Sequence, residues 1–317
     1  MAVSPRLTPC DRLVAGYNAI LALVWIPWMG TAAHASWIAA AHVAGASLPW
    51  LLARAPSRPS GLAAALRELY PMILAAGAWA EIDVFRRTVA PHNYDHLIAP
   101  LDRALFGRHL HEVWMPAMDA VWFSETMYFL YGAYYALIVL PLIVVAVQGR
   151  QAALRDMVFR LIVAYLACYL IYIPFPVDGP HFLYEPHQGP HTQGLVYRLV
   201  GWIQGSGDSL GCAFPSSHVT GAVAIAVSGW RWFSRPVALV LTLEAAGVAV
   251  STFYTQNHYA IDSIAGVVVG LALQLAAVPW LNRVLGGADL RLPERVGGAG
   301  PRRAVPRPVG SPEASAQ

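Results

Sequence analysis

Two short stretches, Phe214-Pro215-Ser216-Ser217-His218-Val219 and, forty residues after the first histidine, His258-Tyr259-Ala260-Ile261-Asp262, supply two histidines, two serines and a carboxylate. Each histidine opens an apolar run, Val219 to Phe233 and Ile261 to Leu281, so each stands where a helix N-terminus leaves unpaired N–H groups and partial positive charge. Such a place favours a phosphate. His258 and Asp262 are four residues apart, which on a helix puts both on one face and lets the carboxylate accept a hydrogen bond from the imidazole. That is how a nucleophile is activated. The competing reading is a polar pair satisfying itself inside a bundle; it weakens because Ser216 and His218 lie at the matching end of another apolar helix, where polar groups are expensive.

The elements that must hold these residues are membrane helices. With 57% hydrophobic and 12% charged residues and a mean hydropathy of +0.48, the chain is far more apolar than a soluble domain. The expected fold is all-α, a polytopic membrane bundle of about eight transmembrane helices. Their predicted places are 13–29, 36–52, 69–84, 122–147, 158–175, 218–233, 236–254 and 261–281. The first run also resembles a signal peptide ending near Ala33-His34-Ala35, but Trp25, Pro27 and Trp28 suit a retained interfacial helix better.

The 21 basic side chains are all arginine, so sidedness follows from one residue type. With a cytoplasmic N-terminus, sixteen arginines fall on the cytoplasmic face, six of them in the C-terminal tail, and five (Arg86, Arg87, Arg103, Arg108 and Arg198) on the other. Both termini are therefore expected in the cytoplasm, with His218 and His258 together on the outer face. Absence of lysine beside abundant Ala, Gly, Arg and Pro suggests a high-G+C genome and a bacterial plasma membrane. The net charge of +3 belongs to this asymmetry, and no basic stripe interleaved with aromatics points to nucleic acid. Cys10, Cys168 and Cys212 fall in different compartments by this topology, so no disulfide is expected.

Three regions follow: N-terminal transmembrane helices over 1–84, a membrane domain over 85–282 that carries the motifs, and a Pro- and Gly-rich disordered tail over 283–317. Within the second, 85–121 is expected to form one or two short interfacial helices, and Leu195 to Ile203 outline another in the loop between Pro176 and Pro215.

The segment Phe214 to His218 resembles the P-S-G-H motif of the type 2 phosphatidic acid phosphatase superfamily, and Ser251 to Asp262 resembles its S-R-x5-H-x3-D motif. The F-P-S-x-H-V form, the S-T-x-Y-x3-H-Y-x2-D form and the L-D-x2-L-F-G run at 101–107 are most similar to the inositol phosphorylceramide synthase branch. The likeness covers roughly 85–281 and implies a six-helix phosphatase-type core. Carried over, it makes His258 the nucleophile that takes the phosphoryl group, Asp262 its orienting partner, and His218 the acid for the departing alkoxide. Ser216, with the N–H groups of Ser217 and His218, would hold the phosphate oxygens. Water then releases the phosphoryl group in a phosphatase, and an alcohol takes it in a transferase.

This chain departs from the pattern in its cations. The motif lysine is absent, Thr252 and Gln256 stand where arginine is usual, and His181 follows Gly-Pro where the synthase-like branch has arginine. The expected phosphate ligands are therefore Ser216, Ser217, His181, Arg198 and Gln256. No cofactor is expected, and no metal, because His181, His187 and His191 are separated by flexible residues. Glu244, inside a predicted span, is expected to hydrogen-bond a neighbouring helix. Tyr128, Tyr131, Tyr134 and Tyr135 read as bundle and interface aromatics. Three functional classes stay open: a lipid phosphate phosphatase at the outer face, a transferase moving a phosphoalcohol head group to an acceptor alcohol, and a non-catalytic transporter or scaffold.

Overall fold

A computed structural model describes residues 7–54 and 61–287. Arg6, Arg58 and residues 288–317 of the tail expected to be disordered from 283 lie outside those residues, while Arg283 and Val284 at its start are helical instead. The described chain is helical, with one isolated bridge between Val177 and Cys212. Its helices are α1 (Pro9–Trp25), α2 (Ala35–Ala53), α3 (Gly61–Thr88), α4 (Asp95–Phe106), α5 (Leu110–Ala117), α6 (Val121–Val147) and α7 (Gln151–Tyr172). They continue as α8 (Pro180–Leu183), α9 (Leu195–Gly207), α10 (Ser217–Trp232) and α11 (Arg235–Tyr254). The last three, α12 (Ala260–Ala272), a π turn (Leu273–Ala277) and α13 (Val278–Val284), form one rod of 25 residues.

Every predicted span falls on one of the long helices. Four of them, α2, α6, α11 and the α12–α13 rod, are long and apolar enough to cross a membrane by themselves, and the chain is an integral membrane protein. The other four fall short for identifiable reasons. Helices α1 and α10 have 17 and 16 residues, while α3 and α7 carry internal charges that depress their hydropathy. Those charges are paired: Asp11 on α1 takes Arg67 Nη2 at 2.7 Å and the Tyr70 hydroxyl at 2.6 Å. On α7, Asp156 receives Arg160 Nε at 2.9 Å and Trp232 Nε1 at 2.7 Å. Pairing of this kind makes a charge tolerable inside a bundle.

Helix α7 is the centre, buried along nearly its whole length and packed by α1, α3, α6 and α10. Because lipid is as apolar as leucine, close packing and interhelical hydrogen bonds, rather than escape from water, must hold such helices together. The contact of α10 with α12 shows both. A Cβ on Gly266 would meet Ser216 O at 2.8 Å and Val219 Cβ at 2.9 Å, so only glycine permits this approach. Across it, Thr220 Oγ1 donates to the Gly266 carbonyl at 3.2 Å.

The short helices occur where the sequence places them, α4 and α5 within 85–121 and α9 after Gly194. Cys10, Cys168 and Cys212 are free and buried. Glu244 departs from expectation: among the described residues its Oε1 is buried without a hydrogen-bond partner.

Candidate active site

The N-termini of α10 and α12 adjoin, and their first residues build the site. Ser216 is the N-cap of α10, its Oγ accepting from Val219 N–H at 3.4 Å. Its own N–H donates to the Asp262 carbonyl at 3.1 Å, tying the start of one helix to the first turn of the other. After α11 the chain turns through Gln256, at φ 62°. The N–H groups of Asn257 and His258 both return to Thr252 O, at 3.0 and 3.1 Å. Helix α12 begins only at Ala260, with Tyr259 as N-cap. His258 and Asp262 thus do not share a helical face as expected: the histidine lies just before the helix, and the carboxylate, at its third position, accepts Tyr259 N–H through Oδ2 at 2.9 Å.

The two groups still face each other. His258 Nδ1 lies 3.4 Å from Asp262 Oδ2, a separation longer than a good hydrogen bond. His258 Nε2 lies 3.1 Å from Ser216 Oγ. With the ring proton on Nδ1, the nitrogen that faces the Asp262 carboxylate, the Ser216 hydroxyl donates to Nε2. Burial pushes the His258 imidazole down to about 4, against a smaller opposing pull from the Ala213 backbone. The ring is therefore neutral near pH 7.

His218 completes the group. Its half-buried ring stands 6.1 Å, centroid to centroid and edge-on, from His258. Around it Tyr134 lies at 4.4 Å, Tyr131 at 5.4 Å and Trp79 at 6.3 Å. Sequence reasoning left this aromatic wall among the bundle residues, because a tyrosine row on an apolar helix has the same spacing whether it faces lipid or a site. Ser217 is buried at the head of α10.

The remaining predicted ligands diverge. Arg198 is exposed, and its guanidinium reaches Gln193 Oε1 at 3.5 Å. Gln256 turns its amide to the Glu185 carbonyl at 3.1 Å. His181 stands 3.7 Å from Asp208, and burial lowers its pKa. Asp208, unforeseen, is pushed by burial up to about 7. The Pro176 to His181 segment is held instead by Asp178, which takes Arg86 in a two-pronged pair at 3.0 and 2.9 Å and Asn93 at 2.7 Å. Asp95 caps the same segment, accepting from Asp178 N–H and Gly179 N–H at 2.8 and 2.9 Å.

Two imidazoles, a carboxylate and two helix N-termini facing one point can bind a phosphoryl group and pass a proton to or from it. A family model described as the PAP2 superfamily matches residues 96–276 of this chain, which includes all of these groups except those on α3, Asn93 and Asp95. No curated protein and no solved structure matches it.

Proposed function

This chain belongs to the PAP2 superfamily, and on that footing we propose that it is a phosphoric-ester enzyme acting on a lipid phosphate through a phosphohistidine at His258. The observation that carries the reading is the meeting of His258 Nε2 with Ser216 Oγ at 3.1 Å, where the N-termini of α10 and α12 adjoin. As Ser216 turns its hydroxyl to the phosphate, the Nε2 lone pair is freed to attack phosphorus. The N–P bond forms as the P–O bond to the lipid alcohol breaks, and His218 gives its proton to the departing oxygen. Asp262 supports the positive charge then carried by the His258 ring. In the second half His218 takes the proton of an incoming hydroxyl, its oxygen attacks phosphorus, and the N–P bond breaks to restore neutral His258.

The phosphate is held by Ser216 and the N–H groups of Ser217 and His218 at the α10 N-terminus. The site faces the outer side and both termini lie in the cytoplasm. Supporting this, Arg67, Arg155 and Arg231, which pair with Asp11, Glu68 and Asp156, stand in the first turns of α3 and α7 and the last turn of α10, whose opposite end carries His218.

A second reading, transfer to an alcohol rather than water, draws support from the synthase-like forms at 101–107, 214–219 and 251–262. Purified protein incubated with labelled lipid phosphates, with and without acceptor alcohols, decides between them. Free phosphate identifies a phosphatase, and a new acceptor-dependent lipid identifies a transferase. If neither forms with any lipid tested, the enzymatic reading fails and a non-catalytic membrane role replaces it.

A further inference from the structure

Beside the proposed active site, α4 and α5 gather a second set of chemically capable groups. Helix α4 ends at Gly107, at φ 75°. This left-handed turn, which glycine adopts without strain, folds the chain back so that His109 and His111 return over Asp102. One ring nitrogen from each histidine and one oxygen of Asp102 all lie within 4.8 Å of one another. His109 Nδ1 is already 3.0 Å from Asp102 Oδ2, near the separation of about 3.3 Å between neighbouring ligands of a tetrahedral zinc ion.

Two features make this more than a polar cluster. His111 is 0% exposed, yet among the described residues neither of its ring nitrogens has a hydrogen-bond partner, an arrangement that is costly in a buried site. Asp102, also 0% exposed, has no arginine partner among the described residues; Arg103 and Arg108 nearby are exposed. A buried carboxylate with two imidazoles wants a divalent cation, and the nitrogen-rich donor set suits zinc rather than magnesium or calcium.

We propose that Asp102, His109 and His111 form a binding site for a Zn²⁺-class divalent ion that braces α4 and α5 against the first turn of α12. The mechanical link is direct. Asp102 Oδ1 accepts the N–H of Ile261 at 3.1 Å, and the Tyr259 ring packs on His109 and His111 at 5.9 and 5.4 Å. Ile261 and Tyr259 flank the turn between His258 and Asp262. The ion thus stiffens the catalytic turn without touching substrate.

The test uses full-length, tag-free protein in detergent, stripped with a chelator and titrated with Co²⁺, whose visible d–d absorption reports its coordination. Wild type should bind one ion per chain with a tetrahedral-type spectrum, and Zn²⁺ should abolish that spectrum and raise the Tm. His111→Leu and His109→Gln should each weaken binding by more than the roughly 10–100-fold that loss of a supporting hydrogen bond costs a metal site. His92→Gln, at an exposed histidine, should bind as wild type does. His109→Gln removes a partly exposed ring, so it tests the site even if His111→Leu does not fold. Absence of the cobalt spectrum in wild type, or its survival in His109→Gln or His111→Leu, overturns the proposal.

Discussion

His258 can attack phosphorus only as a neutral imidazole with Nε2 free, and its burial secures the first condition down to about pH 4. The sign follows directly. A base whose pKa is lowered stays active through the usual histidine range near about 6.5, so the His258 limb of kcat/KM should fall only as pH drops through about 4. An acid limb centred near 6.5 that persists in His218→Gln would show that His258 titrates normally. His258→Ala should lower turnover by at least about 10³-fold, and His218→Gln by about 10²–10⁴-fold, with expression and helicity unchanged; assays of the purified variants check both. The histidines, Ser216 and Asp262 were legible in the sequence because short motifs carry them. The His218 wall was not, since Trp79 and Tyr131 come from helices distant in sequence. Nor were the diverted roles of Gln256 and Arg198, because composition cannot say whether a polar side chain finds a nearer carbonyl or the solvent.

Between elements, the decisive contact is α10 against α12, and Gly266 sets its distance. Gly266→Leu must push Ser216 and Val219 aside, so overpacking of about 1–3 kcal/mol is expected, with activity falling further than stability because Ser216 moves off His258. A variant with wild-type kcat would deny that this spacing matters. On α3, Arg86→Met leaves the buried Asp178 carboxylate without its cation, a loss of about 3–5 kcal/mol that thermal unfolding in detergent should show as a lower Tm. Apolar runs alone placed the helices, and helical spacing placed α4, α5 and α9. What hydropathy understated was α7 and α3, whose charges look unsuited to a membrane until Arg160 meets Asp156 one turn away on the same helix and Arg86 meets Asp178 across the fold.

At the scale of the whole molecule, the arginine asymmetry and the placement of the histidines make one joint prediction about sidedness. A cysteine at exposed Gln188 should react with a membrane-impermeant thiol reagent on intact cells, and labelling only after permeabilisation would reverse the topology. Chemistry, fold and orientation meet in the covalent intermediate. Protein quenched in alkali during turnover of a lipid phosphate labelled at phosphorus should carry acid-labile, base-stable label on the peptide containing His258. That label should be absent in His258→Ala and should accumulate in His218→Gln if release is slowed more than formation. Turnover of the same lipid with no label on the wild-type chain, or equal label on His258→Ala, would contradict a phosphohistidine at this position.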